Sequence, residues 1–415
     1  MAEKRKLRVL LVSNNSGTAF WRVKNPLEFL RDGHYCDLTW VEPDRIPTRD
    51  RYWMEWYDVV VFHQNWTDDM VIFAKYMKGL GKRIILSIDD LINGFKIPKF
   101  ISGGALYRDN GITHNVHDMM EIADKIVVTQ PFLADQLAHF YEMPIERFCL
   151  FPNLPSFNWL GRYIKPEQKV AQFKKRNGNL RIGVISSLSH YDKDKKSEEE
   201  GKGGQSLIPE KDDLELLVGG MRELKDRKVE GLKWVMPVNN DGNIIGRVKP
   251  FAQMENVQMT QIRDYPNAVS RLDLDLVVVP LQKNDFNDSK SNIKLLECAA
   301  LGIPLLASDS FAYEGFLDRA YMFGDEKELA AKVIWAKSWS EKQYKDLVVN
   351  NYKRFFEAQS DYYGRKLNSY WLEANLQLVG DTFLEFSDCA KQDENGIVAP
   401  TLKKEDTNNG KTQEG

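Results

Sequence analysis

"NDFNDSKSNIKLLECAALGIPLLASD", residues 284–309, begins as a polar loop carrying Asn284, Asp285, Asn287 and Asp288. It turns into a helix with Lys290, Ser291, Asn292 and Lys294 in its first turns, buries its second half, breaks at Gly302-Ile303-Pro304 and enters a strand, "LLAS". A helix N-terminus already carries partial positive charge, so cations there gain nothing from the helix itself. An anion bound at that end would explain them. Asp288 or Ser289 can cap the helix, while Ser291, Asn292 and the free N–H groups of the first turn can bond phosphate oxygens. Lys290 and Lys294 add charge. Glu297, about two turns in at the edge of the apolar stripe, offers a carboxylate able to accept both hydroxyls of a ribose. The same letters also describe a capped amphipathic helix with lysines toward solvent. The flanking strand-loop-helix-strand pattern favours a site.

Working outward, the first half alternates strands and helices. "RVLLVS" (8–13) ends in a polar, glycine-containing turn, "NNSGTAFWR", followed by a helix over "NPLEFLRD". Then come "YCDLTWV", "YDVVVFH", a helix near 67–80, "RIILSI", a long loop, a helix near 115–123, "DKIVVT", a helix from Pro131, and "FCLFPN". Short β-branched runs separated by helices predict a parallel sheet covered on both faces. Residues 155–179 are polar, basic and broken by Pro and Gly, as a domain connection would be. The alternation restarts with "LRIGVISS", a helix near 212–226, "LKWVMPV", "VQMT", a helix near 264–271, "LDLVVVP", the helix from Lys290 and "PLLAS". Two Rossmann-like halves result, and ligands in such sheets bind beyond the C-terminal strand ends. The predicted domains are 1–165 and 176–340, with helices over 341–388 packing back on the first domain. The aromatic segment 341–378 reads as strongly helical. The polar tail 391–415 and the insertion 191–213 lack a core pattern and are expected to be disordered or mobile.

The chain has 415 residues, formal net charge −3 and 43% hydrophobic residues, enough for two or three domains. Near-neutral charge argues against a general polyanion binder but leaves room for a local basic groove. Cys36, Cys149, Cys298 and Cys389 are far apart and read as reduced thiols, neither a disulfide frame nor a metal site. No apolar stretch is long enough to span a bilayer, and "MAEKRKLRVLLVS" lacks a signal-peptide pattern, so a cytoplasmic protein is expected. G-x-G-x-x-G, Walker, nucleophile-elbow and zinc-finger patterns are absent.

"KSNIKLLECAALGIPLLAS" (290–308) resembles the nucleotide-sugar motif of GT-B glycosyltransferases, in particular the large retaining group called family 4. That motif is a Glu, seven residues, a second Glu, a small-residue helix and G-x-P. Glu297 matches the second Glu, which in the family binds the donor ribose; the first falls on Ser289. The stretch is similar to a variant subgroup frequent in phages and bacteria. "RIGVISSLSHYDKD" (181–194) resembles its glycine-and-serine-rich strand end, which implies that Ser187, Ser189 and His190 face the diphosphate. "GTAFWRVKNPLEFL" resembles its N-terminal loop, implying donor-phosphate contacts through the Gly17 and Thr18 backbone and charge from Arg22. "SIDDLI" (87–92) resembles an acidic pair after the fourth strand. The resemblance covers most of residues 8–325 and implies a GT-B architecture without a bound metal or other cofactor, the nucleotide-sugar being a co-substrate, with UDP its commonest nucleotide. The typical family Arg and Lys after the first strand of the second domain have no clear match, so Lys290 and Lys294 are the candidates for charge neutralisation.

For the reaction, Asp89 and Asp90 are candidates to orient or deprotonate an acceptor hydroxyl, or simply to cap a loop. His63, at the end of "DVVVF", is a candidate acceptor contact. His114-x-x-His117 has metal-pair spacing, but no third ligand stands out. Trp53, Trp56 and Tyr57 read as packing. The implied reaction is transfer of a sugar from a nucleoside diphosphate to a hydroxyl. The acceptor read first is a 5-hydroxymethylpyrimidine in phage DNA, on the resemblance and on a possible basic rim of Lys4, Arg5, Lys6, Arg22, Lys24, Lys96, Lys99 and the lysines of 193–202. A polysaccharide, lipid-linked or protein acceptor is the alternative, and a non-transferring nucleotide-sugar binder or epimerase is a third.

Overall fold

The computed structural model describes residues 6–47, 50–92, 96–98, 101, 110–157, 166–185, 191–192, 211–237, 241–257 and 265–385. The first sheet contains β1 (Leu7–Ser13), β2 (Cys36–Val41), β3 (Val59–His63), β4 (Arg83–Ser87), β5 (Lys125–Val128) and β6 (Phe148–Leu150), in the order β2-β1-β3-β4-β5-β6. Every pairing is parallel. The period-2 pleat sends Leu10, Val12, Val60, Phe62, Ile84 and Leu86 into one apolar layer and Val9, Leu11, Val59, Val61 and Ile85 into the other. Both faces are buried, which is why these strands read as continuous apolar runs.

The second sheet contains β7 (Leu180–Gly183), β8 (Leu232–Met236), β9 (Met254–Asn256), β10 (Leu276–Val279), β11 (Leu305–Ser308) and β12 (Met322–Phe323), in the order β12-β11-β10-β7-β8-β9, again all parallel. Each sheet has one point where successive connections leave in opposite directions, between β1 and β3 in the first and between β7 and β10 in the second. These switch points open crevices beyond the strand ends; "GTAFWR" follows β1 and the 284–309 stretch follows β10, while "SIDDLI" follows β4, the neighbour of β3.

Three expectations change. Of the strand expected on "VQMT" (257–260), only Val257 lies within the described residues; the strand there is Met254–Asn256, with Val257 N–H donating to Met236 O at 3.1 Å. The connection 155–179 holds a helix, Pro166–Lys175, whose Phe173 stacks on Tyr344 at 4.1 Å. The segment 341–378 is not one helical run. A helix, Glu341–Tyr352, passes into a π-helical turn, Lys353–Glu357, and then into a hairpin of β13 (Ser360–Tyr362) and β14 (Arg365–Leu367). Tyr363 and Gly364 have φ of +47° and +81°, and two consecutive positive φ values make the tight turn that matches strand twist. Local hairpin chemistry here overrides the helical aromatic spacing.

The chain then returns to the first domain through the helix Leu376–Phe383. Phe383 packs edge-on against Phe151 at 5.3 Å, and Lys125 Nζ donates to the end carbonyls of Asp381 and Thr382 at 2.9 and 3.2 Å. The two domains also meet across the cleft. Phe286 of the second is buried in an apolar layer of the first, and Phe132 stacks on Phe311 at 4.7 Å. Among the described residues no helix is long and apolar enough to cross a membrane.

Candidate functional site

The helix of the opening stretch begins at Ile293, not at Lys290. Residues 285–288 form a separate turn capped by Asn284, whose Oδ1 accepts from Asn287 N–H at 2.8 Å. Neither Asp288 nor Ser289 caps the later helix. Both close the earlier turn: Ser289 N–H and Oγ donate to Asp285 O at 3.0 and 2.7 Å, and the Asp288 carboxylate takes Lys283 at 2.9 Å. Asn292 stands at the N-cap without a side-chain capping bond. Its Nδ2 is buried with no partner, and among the described residues the amides of Ser291 and Asn292 have none either. With the first N–H groups of the helix, which have no intrahelical acceptor, they form a cluster of unused donors beside the β7/β10 crevice.

Lys290 and Lys294, read together from sequence, are used differently. Lys290 Nζ reaches across the cleft to Asp90 Oδ1 at 2.5 Å and lies 4.0 Å from the Phe286 ring centroid. Lys294 Nζ sits 2.9 Å from Glu297 Oε2 and 2.5 Å from the Tyr265 hydroxyl, which is itself 3.2 Å from the same Glu297 oxygen. Burial opposes the Lys294 charge most strongly, but Glu297 and Tyr265 together outweigh it and hold the ammonium above its usual range. Burial, then Glu297, pushes the Tyr265 phenol up. Glu297 is 3% exposed, with one carboxylate oxygen used by two donors. The other oxygen has no partner among the described residues and is the one free to accept from a ligand. Tyr265 was not singled out by sequence; it opens a helix, Tyr265–Arg271, whose side chains gave no motif.

Opposite, at the β1/β3 switch, His63 ends β3. Its Nε2 is 3.2 Å from Thr18 Oγ1 and its Nδ1 is 3.3 Å from Ser87 Oγ, at the end of β4. Burial, then Arg22, pushes His63 down to about 3, so the ring is neutral near pH 7 and its 3.8 Å approach to Asp89 is not an ion pair. Gln64, missed from sequence, has φ of +49° and donates from Nε2 to Asp89 Oδ1. A non-glycine residue held in the left-handed region at a strand end is the kind of strain that collects at functional sites. Asp89 is buried. Burial and Asp90 push its carboxyl up to about 7, with Arg22 and Lys290 pulling the other way. A carboxyl near 7 is suited to exchanging a proton at neutral pH.

Gly17 opens a short helical turn, Gly17–Ala19, in which Ser16 Oγ accepts from Ala19 N–H at 3.2 Å. It continues into a π-helix, Phe20–Lys24, a form frequent at functional sites. Arg22 on that turn is 1% exposed. Its Nη1 donates to Phe151 O at 2.8 Å and to Asn153 Oδ1 at 3.2 Å, while Nε and Nη2 are buried without a partner. Burial lowers its pKa to about 10, Asp89 opposing. Asn153 in turn donates to Ser291 Oγ at 2.8 Å.

Ser187, Ser189 and His190 lie outside the described residues, as do Lys4, Arg5, Lys99, the lysines of 193–202 and the tail from 386. Among the described residues of the expected basic rim, three are engaged with the protein. Arg22 and Lys24 are buried, Lys24 over the Trp40 ring at 3.6 Å, and Lys96 pairs with Asp285 at 2.6 Å. His114 lies 3.6 Å from Asp118, and among the described residues no three His, Cys, Asp or Glu side chains form a metal-sized group. Trp53 packs edge-on to Tyr57 at 4.9 Å, whereas Trp56 is largely exposed with Arg8 over its ring at 4.2 Å.

No family model matches the chain, and no curated protein sequence matches it. Solved structures do. The chain is similar to the Anabaena protein HepE in complex with UDP and glucose, at 11% identity and TM-score 0.56, over 83% of this chain and 94% of that one. A glycosyltransferase from Rickettsia africae matches at 12% identity and TM-score 0.50, over 91% and 99%. A Listeria monocytogenes protein assigned as a UDP-N-acetylglucosamine 2-epimerase matches at 11% identity and TM-score 0.51, over 94% and 98%. At these identities the likeness establishes the fold. The two parallel six-stranded sheets with their helices are the paired Rossmann-like domains of the GT-B architecture.

Proposed function

We propose that this GT-B chain is a glycosyltransferase that moves a sugar from a nucleoside diphosphate, a UDP-sugar in the first instance, to an acceptor hydroxyl. The observation that carries the reading is the face-to-face pair of sites: unused N–H donors with Lys290 at the β7/β10 end, and Asp89 with Asp90 after β4, beside the end of β3. Breaking an anomeric C–O bond builds negative charge on the leaving diphosphate. The donors of Ser291, Asn292 and the helix start would stabilise that charge, each worth on the order of 2.7–4 kcal/mol. Asp89, near 7, would take the acceptor proton, with neutral His63 and Gln64 fixing its position. Glu297, held by Lys294 and Tyr265, would accept a ribose hydroxyl through its remaining oxygen. Gly17 and Thr18 would border the phosphates from the first domain. By fold alone, the Rickettsia glycosyltransferase supports the transferase reading and HepE, which binds UDP, supports the donor class.

Finer assignments rest on the sequence resemblance: retention at the anomeric carbon, independence of metal, and 5-hydroxymethylpyrimidine in DNA as acceptor. The burial of Arg22 and Lys24 takes two members from the DNA-binding rim. The test is to incubate the protein with DNA containing 5-hydroxymethylcytosine and a panel of UDP-sugars, digest it and weigh the nucleosides. A gain of one pentose or hexose supports transferase and acceptor together. UDP release with a saccharide acceptor but not with DNA keeps the transferase and replaces the acceptor. The Listeria neighbour motivates a second reading, epimerisation, which would convert the UDP-sugar to a new UDP-sugar with no acceptor present.

A further inference from the structure

We propose that Gln130, a first-domain residue, is a positioning residue that shapes the anion-binding loop of the second domain; the proposal rests on the diphosphate reading above. Gln130 follows β5 and precedes Pro131, which disfavours helical backbone in the residue before it and keeps Gln130 extended at φ −156°, ψ 159°. The side chain is 4% exposed and crosses the cleft. Its Nε2 donates to Asp288 O at 2.7 Å and to Lys290 O at 3.2 Å, which uses both amide N–H bonds.

The consequence follows from peptide planarity. In a trans peptide the carbonyl and the next N–H point in opposite directions. Drawing Lys290 O toward the first domain therefore turns Ser291 N–H away from it. Asn153 acts in the same sense, since its Nδ2 donates to Ser291 Oγ at 2.8 Å and leaves that hydroxyl's own hydrogen free to donate elsewhere. Two first-domain amides thus occupy acceptors of the 288–291 loop and leave the Ser291 N–H and hydroxyl for an anion. The cradle at the start of the helix Ile293–Ala300 is complete only with the domains closed on each other.

The test uses the full chain, with UDP as the probe, in wild type, Gln130→Leu and Gln130→Glu. Gln130→Leu is expected to weaken UDP binding by about tenfold, the equivalent of one to two net hydrogen bonds, and to speed amide hydrogen exchange over 288–293 in protein without UDP. Gln130→Glu carries a signature that general damage lacks. As a neutral acid it can donate to one of the two carbonyls; once ionised it repels both. Its UDP affinity, relative to wild type at each pH, should improve steadily from pH 8 to pH 5.5. That comparison is made within one folded variant, so misfolding of Gln130→Leu does not decide the matter. Wild-type UDP affinity in Gln130→Leu with unchanged exchange, or a Gln130→Glu deficit that does not vary with pH, would overturn the positioning role. Faster exchange in Gln130→Leu beside a wild type that binds no UDP would support Gln130's hold on the loop and overturn the nucleotide reading instead.

Discussion

Replacing Asp89 with asparagine should stabilise the protein at alkaline pH while removing turnover. Burial and Asp90 push the Asp89 carboxyl from 3.8 up to about 7. The folded chain therefore holds this proton more tightly than the unfolded chain does. Wherever the native state binds more protons, stability falls as pH rises. The loss begins near pH 4, is complete above about 7, and amounts to about 4 kcal/mol at 1.36 kcal/mol per pKa unit. The amide introduced by Asp89→Asn never ionises, and its oxygen can still accept from Gln64 Nε2, as Asp89 Oδ1 does. Chemical denaturation at pH 5 and pH 8 is the assay. The variant should gain on wild type between the two conditions by about 3 kcal/mol, the two pKa units of that loss lying between pH 5 and 7, with UDP affinity kept and sugar transfer lost. A variant that is less stable than wild type at pH 8 by the same margin as at pH 5 would refute the placement of Asp89 as a buried, reluctant acid. Full turnover in the variant would refute its role as base.

Four further outcomes follow from the same geometry. In wild type, kcat should rise through about pH 7 as Asp89 ionises, and Lys290→Met, which removes a cation that pulls Asp89 down, should move that limb to higher pH and lower kcat by about a hundredfold; a pH-rate profile checks both. Lys294→Met strands the Glu297 carboxylate and should cost about 3–5 kcal/mol, most of it recovered in Lys294→Met/Glu297→Gln, which still binds UDP weakly; denaturation and calorimetry separate the two effects. Glu297→Gln alone should narrow the affinity gap between UDP and its 2′- or 3′-deoxy analogue, measured by competition. Phe286→Ala empties a site in the first domain's apolar layer, at about 3–5 kcal/mol for a buried Phe, and should enlarge the radius of gyration in solution scattering as the domains part.

The sheets were legible because their strands are buried on both faces. "VVVFH" and "RIILS" are apolar without interruption, and each precedes a polar turn that marks the strand end. Position along the chain was then enough to put His63 and the Asp89-Asp90 pair beside the cleft, since the parallel order fixes which ends converge. Local hydrogen-bond competition was not legible. Ser289 looks like a cap for the later helix, but Asp285 O claims both its N–H and its hydroxyl, which moves the helix start to Ile293. Nor did spacing reveal that Lys290 and Lys294, one turn apart in a continuous helix, would point to different partners once the helix began later. Contacts between domains were the least accessible. Gln130 and Asn153 lie in "ADKIVVTQPFLADQL…FPNLP", which resembles the end of an acceptor domain without giving either a role, and Tyr265 lies in no motif; all three gain meaning only from their hydrogen-bond partners. Arg22 was legible as a cation on a glycine-containing loop, but not its burial: the π-helical turn carries it inward, where Nη1 bonds Phe151 O and Asn153 Oδ1 and Nε and Nη2 have no partner.

The central claim is that the start of the helix Ile293–Ala300 holds the diphosphate of a nucleotide-sugar. Titration calorimetry with UDP, on wild type and on Asn292→Ala, addresses it most directly. The account predicts saturable binding to wild type at one site per chain, and binding weakened at least about tenfold when the buried, unpartnered Asn292 amide is removed. Equal affinity in the two proteins, or no heat with UDP, ADP, GDP, CDP or TDP, would contradict it.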